Sequence, residues 1–363
     1  MKVGIIGGGA LGLALAKILD KNKISYELFE RSLVGRKILA SGNGKANIGN
    51  INLYEDCYND SFGFNLVNNY HLELLNFFKE IGLIIKKDDE GRIYPYSESS
   101  QSVLNCLMPN KKNIVENFPI NSISKINGKY YLNDVRGPFD YLVICTGSKA
   151  SFIKKKQDGF NDYLNSLNLE YKEDFPSLVG FKLNTNFNKL NGVRIKCMAK
   201  LIKDDKVIYA EPGEAILKND GISGICVMNL SSRYARLVDK SNCYISLDLI
   251  PDLNIVIKDK NELVGLLNPK LVEYFNQLTI EEINHKLRDF RHEIIGVYDY
   301  EFAQVVSGGI SLNNIDDDLR LIKDNHIFIG GELLDVDGVC GGYNLMFAFA
   351  CALKIGDVLC NIK

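Results

Sequence analysis

Val3-Gly4-Ile5-Ile6-Gly7-Gly8-Gly9-Ala10-Leu11-Gly12, followed by the apolar run to Leu19 and the segment Ile24–Glu30, decides the fold of this 363-residue chain. Val3, Ile5 and Ile6 form a short apolar run that predicts a buried strand. Leu11 to Leu19 is almost continuously apolar and rich in Ala and Leu, which predicts a helix; Lys21 and Lys23 suit its negative C-terminal end. Ile24–Glu30 then alternates into a second strand. A strand–turn–helix–strand unit of this kind favours a parallel sheet with helices on its faces.

The turn itself fits G-x-G-x-x-G. Gly7 permits the sharp bend, Gly9 lets backbone approach a pyrophosphate, and Gly12 lets the helix pack closely on the strand. Free N–H groups at the helix start, aided by the helix dipole, receive the anion. Glu30 falls at the end of the second strand, at the spacing of a carboxylate that accepts a ribose hydroxyl. The stretch therefore predicts an adenine-dinucleotide site, and by itself leaves NAD and FAD both open.

Further along, Leu72, Leu74, Leu75, Phe77, Phe78 and Ile81 keep helical spacing over His71–Ile81, with Gly82 as the stop. Ile114 to Asn133 reads as short strands with a turn at Asn127-Gly128, and Asp140–Thr146 as another buried strand. From about Leu178 to Val306 the texture changes. Short β-like runs (Val179–Leu183, Val207–Ala210, Gly224–Leu230, Cys243–Leu249) precede a more helical stretch, Leu263–Leu287, without the rhythm of a parallel-sheet crossover. This reads as an inserted domain. Ile327–Ile329 and a closing helix from Gly342 return to the first one.

Composition excludes more than it assigns. The formal net charge of −2 supplies no field for nucleic acid or an anionic membrane. The nine cysteines are scattered without a C-x-x-C pair, so zinc and dithiol sites both lack their spacing, and a reduced, cytoplasmic setting is expected. The apolar N-terminus, interrupted by glycines and lacking a small-residue cleavage site, reads as fold and not as a leader. Leu345–Ile355 reads as a buried helix rather than a membrane span. His71, His285, His292 and His326 have no metal-ligand or triad spacing; His285 and His292, with Arg288 and Arg291, read as one solvated helix face. Asp335 and Asp337 read as residues that satisfy backbone donors in their own turn, and Cys340 as loop filling beside the glycines that follow it.

Three more segments carry a family resemblance. Gly35-Arg36-Lys37-Ile38-Leu39-Ala40-Ser41-Gly42-Asn43-Gly44-Lys45-Ala46-Asn47 follows the ribose glutamate; Ile144-Cys145-Thr146-Gly147 ends a buried strand; and Ile329-Gly330-Gly331-Glu332-Leu333-Leu334-Asp335-Val336-Asp337-Gly338 leads into Gly341-Gly342-Tyr343-Asn344-Leu345. With Gly91-Arg92-Ile93-Tyr94-Pro95-Tyr96-Ser97 and Gly221-Ile222-Ser223-Gly224 in support, nearly the whole chain resembles the BaiN/RdsA-like (aminoacetone-oxidase-like) family of NAD(P)/FAD-dependent oxidoreductases.

The resemblance implies an α/β fold: a two-dinucleotide-binding-type, Rossmann-like FAD domain over 1–178 and 304–363, with a β-barrel-like and helical substrate or cap domain inserted over 179–303. It implies non-covalent FAD held by Gly7, Gly9, Ala10, Leu11, Gly12, Glu30 and the adjoining Arg31 at the ADP end. Lys37, Ser41, Gly42 and Asn43 would lie toward the flavin, Thr146 and Gly147 beside the cofactor, Gly331 and Glu332 near the sugar-phosphate or ribityl part, and Gly341, Gly342, Tyr343, Asn344 and Leu345 at the ring. A helix starting at Gly342 would aim N–H groups and a positive dipole end at the N1/C2 edge of a reduced flavin, and adjacent glycines would let backbone approach a flat ring.

Departures are also legible. Lys45-Ala46 stands where the family commonly has Arg-Cys, and Lys149–Lys156 stands in place of a glycine-rich loop, so the family's substrates do not transfer directly. No catalytic acid declares itself; Arg92, Tyr94 and Tyr96 are the candidates for a substrate pocket. The expected activity is FAD-dependent oxidation–reduction of a small organic substrate by hydride transfer at flavin N5, with NAD(P)H as a candidate transient reductant, since no second G-x-G-x-x-G is present. A tRNA-modifying flavoprotein and a non-catalytic flavin-binding scaffold are the alternatives. No metal, nucleic acid or membrane partner is expected.

Overall fold

The computed structural model describes residues 1–151 and 161–362. Among these, the chain divides into two compact units: one of 1–149, 161–174 and 308–362, the other of 150–151 and 175–307. The chain passes between them inside the strands Tyr171–Ser177 and Val305–Ile310. The lysine-rich stretch noted in the sequence lies, from residue 152 on, outside the described residues.

The first unit is built on a six-stranded sheet. Its order is Arg320–Leu321, Asp324–Ile329, Tyr141–Ile144, β1 (Lys2–Ile6), β2 (Ser25–Phe29), Ile114–Val115. All neighbours pair in parallel except the edge strand Arg320–Leu321, which is antiparallel. Strands thus extend to either side of β1, and their carboxyl ends open on one edge, the place where such sheets bind ligands. Helix α1 (Ala10–Lys21) follows β1 directly. Leu13, Leu15 and Leu19 on it are fully buried, each contributing about 2 kcal/mol of hydrophobic stabilisation.

The C-terminal helix, Tyr343–Ile362, packs along α1. Gly356 lets it approach Ile18, whose Cγ2 would stand 2.8 Å from an added Cβ, and Gly330 lies between Leu11 and Cys351. Because 348–351 lies beside Leu11 and Gly356 beside Ile18, the two helices run in parallel and both begin at the same sheet edge. Among the described residues the C-terminal helix has the length and hydropathy to cross a membrane; its apolar residues Met346, Phe347, Phe349, Ala350, Ile355 and Leu359 are instead buried in the core of this unit.

Helix α2 (Ser61–Glu80) begins ten residues before the periodicity at His71 suggests. Its first turns carry Gly63, Asn65, Asn68 and Asn69, poor helix formers. Tertiary contact compensates: Asp60 caps Phe62 N–H at 2.8 Å, and Gly63 packs against Val336 and Tyr58.

The second unit is a closed six-stranded barrel in the order Phe181–Leu183, Gly221–Ser223, Lys206–Lys218, Arg194–Lys203, Cys243–Asp248, Phe290–Val297. Three helices accompany it, Ile225–Ala235, Pro269–Phe275 and Ile280–Arg288. The first corrects the expected β-run Gly224–Leu230. Val227, Leu230 and Tyr234 are buried at helical spacing, and Gly224, at φ +109°, ends the preceding strand. His292 is also corrected. It lies on the strand Phe290–Val297, not on a helix face with His285. Its ring stands edge-on to Phe187 and Phe290, at centroid distances of 4.8 and 4.4 Å, and its Nδ1 lies 2.9 Å from Thr185 Oγ1.

Candidate functional site

The three glycines of the first turn are needed for three different reasons. Gly7 has φ +117°, and a Cβ there would stand 2.4 Å from the carbonyl oxygen of Cys145. At Gly12 a Cβ would meet the Gly7 carbonyl oxygen at 2.0 Å. At Gly9 an added Cβ meets nothing within 4 Å. The turn is therefore closed on the protein side and open on the other, where backbone can meet a ligand. Gly9 is the N-cap of α1 and no side chain caps the helix; the first intrahelical bond is Leu13 N–H to Gly9 C=O, so the N–H groups of Ala10, Leu11 and Gly12 precede the ladder.

Glu30 reaches back to this turn. Its Oε2 accepts from Gly8 N–H at 2.9 Å, and its Oε1 accepts from Ser32 N–H at 3.0 Å. Arg31 next to it is exposed.

The neighbouring strand ends bring in the second group. Thr146 and Gly147 follow the strand Tyr141–Ile144, and Gly331 and Glu332 follow Asp324–Ile329. Lys37, on the short helix Arg36–Ala40, joins them: its Nζ lies 2.9 Å from Glu332 Oε2 and donates to Ser148 C=O at 3.0 Å. Gly147, at φ +70°, would place a Cβ 3.7 Å from both Lys37 Nζ and Glu332 Oε2. Thr146 Oγ1 is buried beside the Tyr163 hydroxyl, and Glu332 Oε1 is buried and has no partner.

The third group surrounds the start of the C-terminal helix. Gly341 and Gly342 have φ +126° and +99°, and a Cβ on Gly342 would collide with Asn47 Oδ1 at 2.4 Å and Gly49 C=O at 2.5 Å. The first intrahelical bond runs from Met346 N–H to Gly342 C=O, so the N–H groups of Tyr343, Asn344 and Leu345 precede the ladder. The side chains of Tyr343 and Asn344 are occupied in building the turn. Tyr343 OH donates to Asn52 C=O at 2.6 Å, and Asn344 exchanges two bonds with the Gly338 backbone at 2.9 Å. Both residues are thus left to offer backbone rather than side chain at this turn. Asn47 and Asn50, which the sequence reading did not single out, belong here: Asn50 Nδ2 donates to Gly341 C=O at 3.2 Å, and Asn47 Oδ1 is buried without a partner.

The loop after the short helix is Ser41–Gly44, with Gly42 and Asn43 both in the left-handed region and exposed, and Ser41 Oγ donating to Ile38 C=O at 2.7 Å. The Asp335 carboxylate reaches beyond its own turn, accepting from Gly308 N–H at 3.2 Å and pairing with Lys172 at 2.8 Å.

The strand Arg92–Pro95 turns Ile93 and Pro95 inward and leaves Arg92 and Tyr94 on its other face. Arg92 is occupied by Asp88 at 2.7 Å and Glu90 at 2.9 Å. Tyr96 is 69% exposed with Lys86 over its ring. Tyr94 is half-buried, and burial raises its phenol pKa, so it stays protonated at neutral pH. Beside it, Lys45 pairs with Glu98 at 2.9 Å, and Lys45 with Lys86 draws the Glu98 carboxyl down to about 2. This strand pairs with Gly49–Asn50, whose Gly49 carbonyl lies against Gly342.

One sheet edge therefore carries two helix starts whose first N–H groups precede the ladder, and two buried, unpartnered oxygens, those of Glu332 and Asn47. Buried acceptors left unmatched cost about 1–3 kcal/mol each, and an elongated ligand with hydroxyl and amide donors and an anionic middle matches them. FAD has that donor set, and the residues present fit it. Among the described residues, no cluster of His, Cys, Asp and Glu has the makings of a metal site.

The family model described as the HI0933-like protein Rossmann domain matches residues 1–358. The chain is 27% identical over 402 residues to the 3-dehydro-bile acid delta(4,6)-reductase of Clostridium scindens, covering 98% of each chain. It is 24% identical over 411 residues to the ribosomal RNA dihydrouridine synthase of Escherichia coli, covering 99% of this chain and 98% of that one. Among solved structures, the open form of a flavocytochrome c3 fumarate reductase aligns at TM-score 0.48 and 12% identity, covering 99% of this chain and 78% of the other.

Proposed function

The chain belongs to the HI0933-like family of FAD-dependent oxidoreductases, and from that premise we propose that it reduces a carbon–carbon double bond conjugated to a carbonyl in a small organic substrate. The observation that carries the reading is the pair of helix starts at one sheet edge whose first N–H groups precede the ladder, with the unpartnered oxygens of Glu332 and Asn47 beside them. The relatives support the chemistry. A delta(4,6)-reductase of a 3-dehydro steroid acid and a dihydrouridine synthase, by their names, both saturate an alkene activated by a neighbouring carbonyl.

Bound FAD would supply the hydride, which adds to the β carbon of the alkene. The chain's own residues then have separate tasks. Backbone N–H groups at Ala10–Gly12 hold the anionic middle of the dinucleotide, and Glu30 holds its ribose. Lys37 keeps Glu332 in place so that its free oxygen can accept a hydroxyl. The positive end of the C-terminal helix, reached through Gly341 and Gly342, favours negative charge next to it. The α carbon still needs a proton. Tyr94 is the candidate donor, being protonated, half-buried and on the strand next to the Gly49–Gly342 contact. A reduced nicotinamide docking transiently is the proposed electron source.

The test is to purify the protein, record its visible spectrum, and follow bleaching by NADH and NADPH without oxygen. Reoxidation of the reduced protein by cyclic or steroidal enones supports the reading. A reduced flavin inert to every enone refutes it. Tyr94→Phe should slow the enone half-reaction and leave reduction by nicotinamide unchanged; an unchanged oxidative half-reaction removes Tyr94 from the role.

A second reading, reduction of a uracil base within RNA, is favoured by the dihydrouridine-synthase relative. It requires a basic surface that the net charge of −2 does not supply overall. Binding of bulk RNA at low salt, with enones inert, would favour it over the first.

A further inference from the structure

Cys197 and Cys226 are 29 positions apart and share no sequence motif, yet the barrel brings them together. Cys197 lies on the inward face of the strand Arg194–Lys203, between Ile195 and Ala199, and pairs in the ladder with Gly213. Cys226 lies in the first turn of the helix Ile225–Ala235, which packs over that wall. Gly213 makes the approach possible: a Cβ there would stand 3.0 Å from Cys226 Cβ and 3.5 Å from its Sγ. The missing side chain leaves the space that the Cys226 side chain occupies, opposite Cys197. Both thiols are reduced and buried, at 4% and 1% exposure.

From this placement we propose that Cys197 and Cys226 form a dithiol that a peroxide oxidises to an intramolecular disulfide, tying the helix Ile225–Ala235 to the barrel wall. The two thiols polarise each other. The neighbouring Cys197 thiol and the N–H groups at the helix start lower the Cys226 pKa. Cys226 is therefore the thiolate that attacks first. It displaces water from peroxide and becomes a sulfenic acid; the Cys197 sulfur then attacks that sulfur and displaces a second water. Two S–H bonds and one O–O bond break, one S–S bond forms, and the two thiol protons leave in water.

Peptide mapping of the flavin-loaded protein tests this. The protein is exposed to a small excess of hydrogen peroxide, unfolded, alkylated, digested and analysed by mass spectrometry. The expected product is one dominant cross-linked pair joining the Cys197 and Cys226 peptides, lost on dithiothreitol treatment, with the other cysteines alkylated. The proposal is overturned if both residues are recovered alkylated at doses that already oxidise the half-buried Cys106, Cys340 or Cys360. It is equally overturned if Cys226 proceeds to sulfinic acid without a cross-link. The wild-type chain alone decides the outcome, so no variant has to fold.

Discussion

Gly9→Ala separates folding from cofactor binding. Gly9 has φ −86°, which alanine adopts freely, and its new methyl would meet no protein atom within 4 Å. Exchanging Gly for Ala at a helix N-cap costs about 0.5–1 kcal/mol. The reduced freedom of the unfolded chain returns about 0.4–1 kcal/mol. The two nearly cancel, so the melting temperature should stay within a few degrees of wild type. The same methyl, however, projects into the open space in front of the N–H groups of Ala10, Leu11 and Gly12. Losing two charge-assisted hydrogen bonds of about 1.5–3 kcal/mol each removes about 3–6 kcal/mol of binding, which weakens FAD by roughly 100- to 10,000-fold. Circular dichroism melts of flavin-free protein give the first number, and fluorescence titration with FAD gives the second. Wild-type affinity in a folded Gly9→Ala protein would refute the assignment of this turn to the pyrophosphate. Gly12→Ala provides the contrast: its Cβ would stand 2.0 Å from the Gly7 carbonyl, so the fold itself should suffer.

Two further outcomes follow from particular contacts. Lys37→Met leaves the mostly buried Glu332 carboxylate without its cation; with part of each side chain reached by water, the expected loss is about 1 kcal/mol of stability, together with weaker FAD retention, read by thermal melts and by flavin content after dialysis. His292 is held neutral by burial, its pKa lowered from 6.5 to about 4. The unfolded chain takes up its proton first as pH falls, so stability is constant above about 6.5, declines between about 6.5 and 4, and levels off below, with a limit of about 3 kcal/mol. Urea unfolding across that range checks it; His292→Phe should flatten the slope, and an equally steep slope in that variant would assign the effect elsewhere.

How far the sequence speaks depends on how local each interaction is. The strand–turn–helix–strand opening was fully legible because Gly7, Gly9, Gly12 and Glu30 act within thirty residues of one another. Helix α2 was legible only in its apolar half; its start rests on Asp60 and on Val336, which is brought in from far along the chain. The strand Arg194–Lys203 carries an alternation of Ile195, Cys197, Ala199 and Leu201 that its intervening lysines disguise, and it was missed. Gly224–Leu230 was misread because a short apolar run fits strand and helix equally until Tyr234 is counted in the buried face. At the site, glycines announced the turns, whereas Asn47, Asn50 and the Lys37–Glu332 pair, 295 positions apart, depend on the folded sheet.

The parallel packing of α1 with the helix Tyr343–Ile362 brings segments far apart in the sequence into one cradle. During synthesis the first glycine turn emerges well before its counterpart at Gly341–Gly342 and the helix behind it. Until then Leu11, Ile18 and the sheet face have no cover, and one end of the cradle is missing. A chain cut short of Gly341 would thus lack one end of the cradle and show an apolar flank along α1.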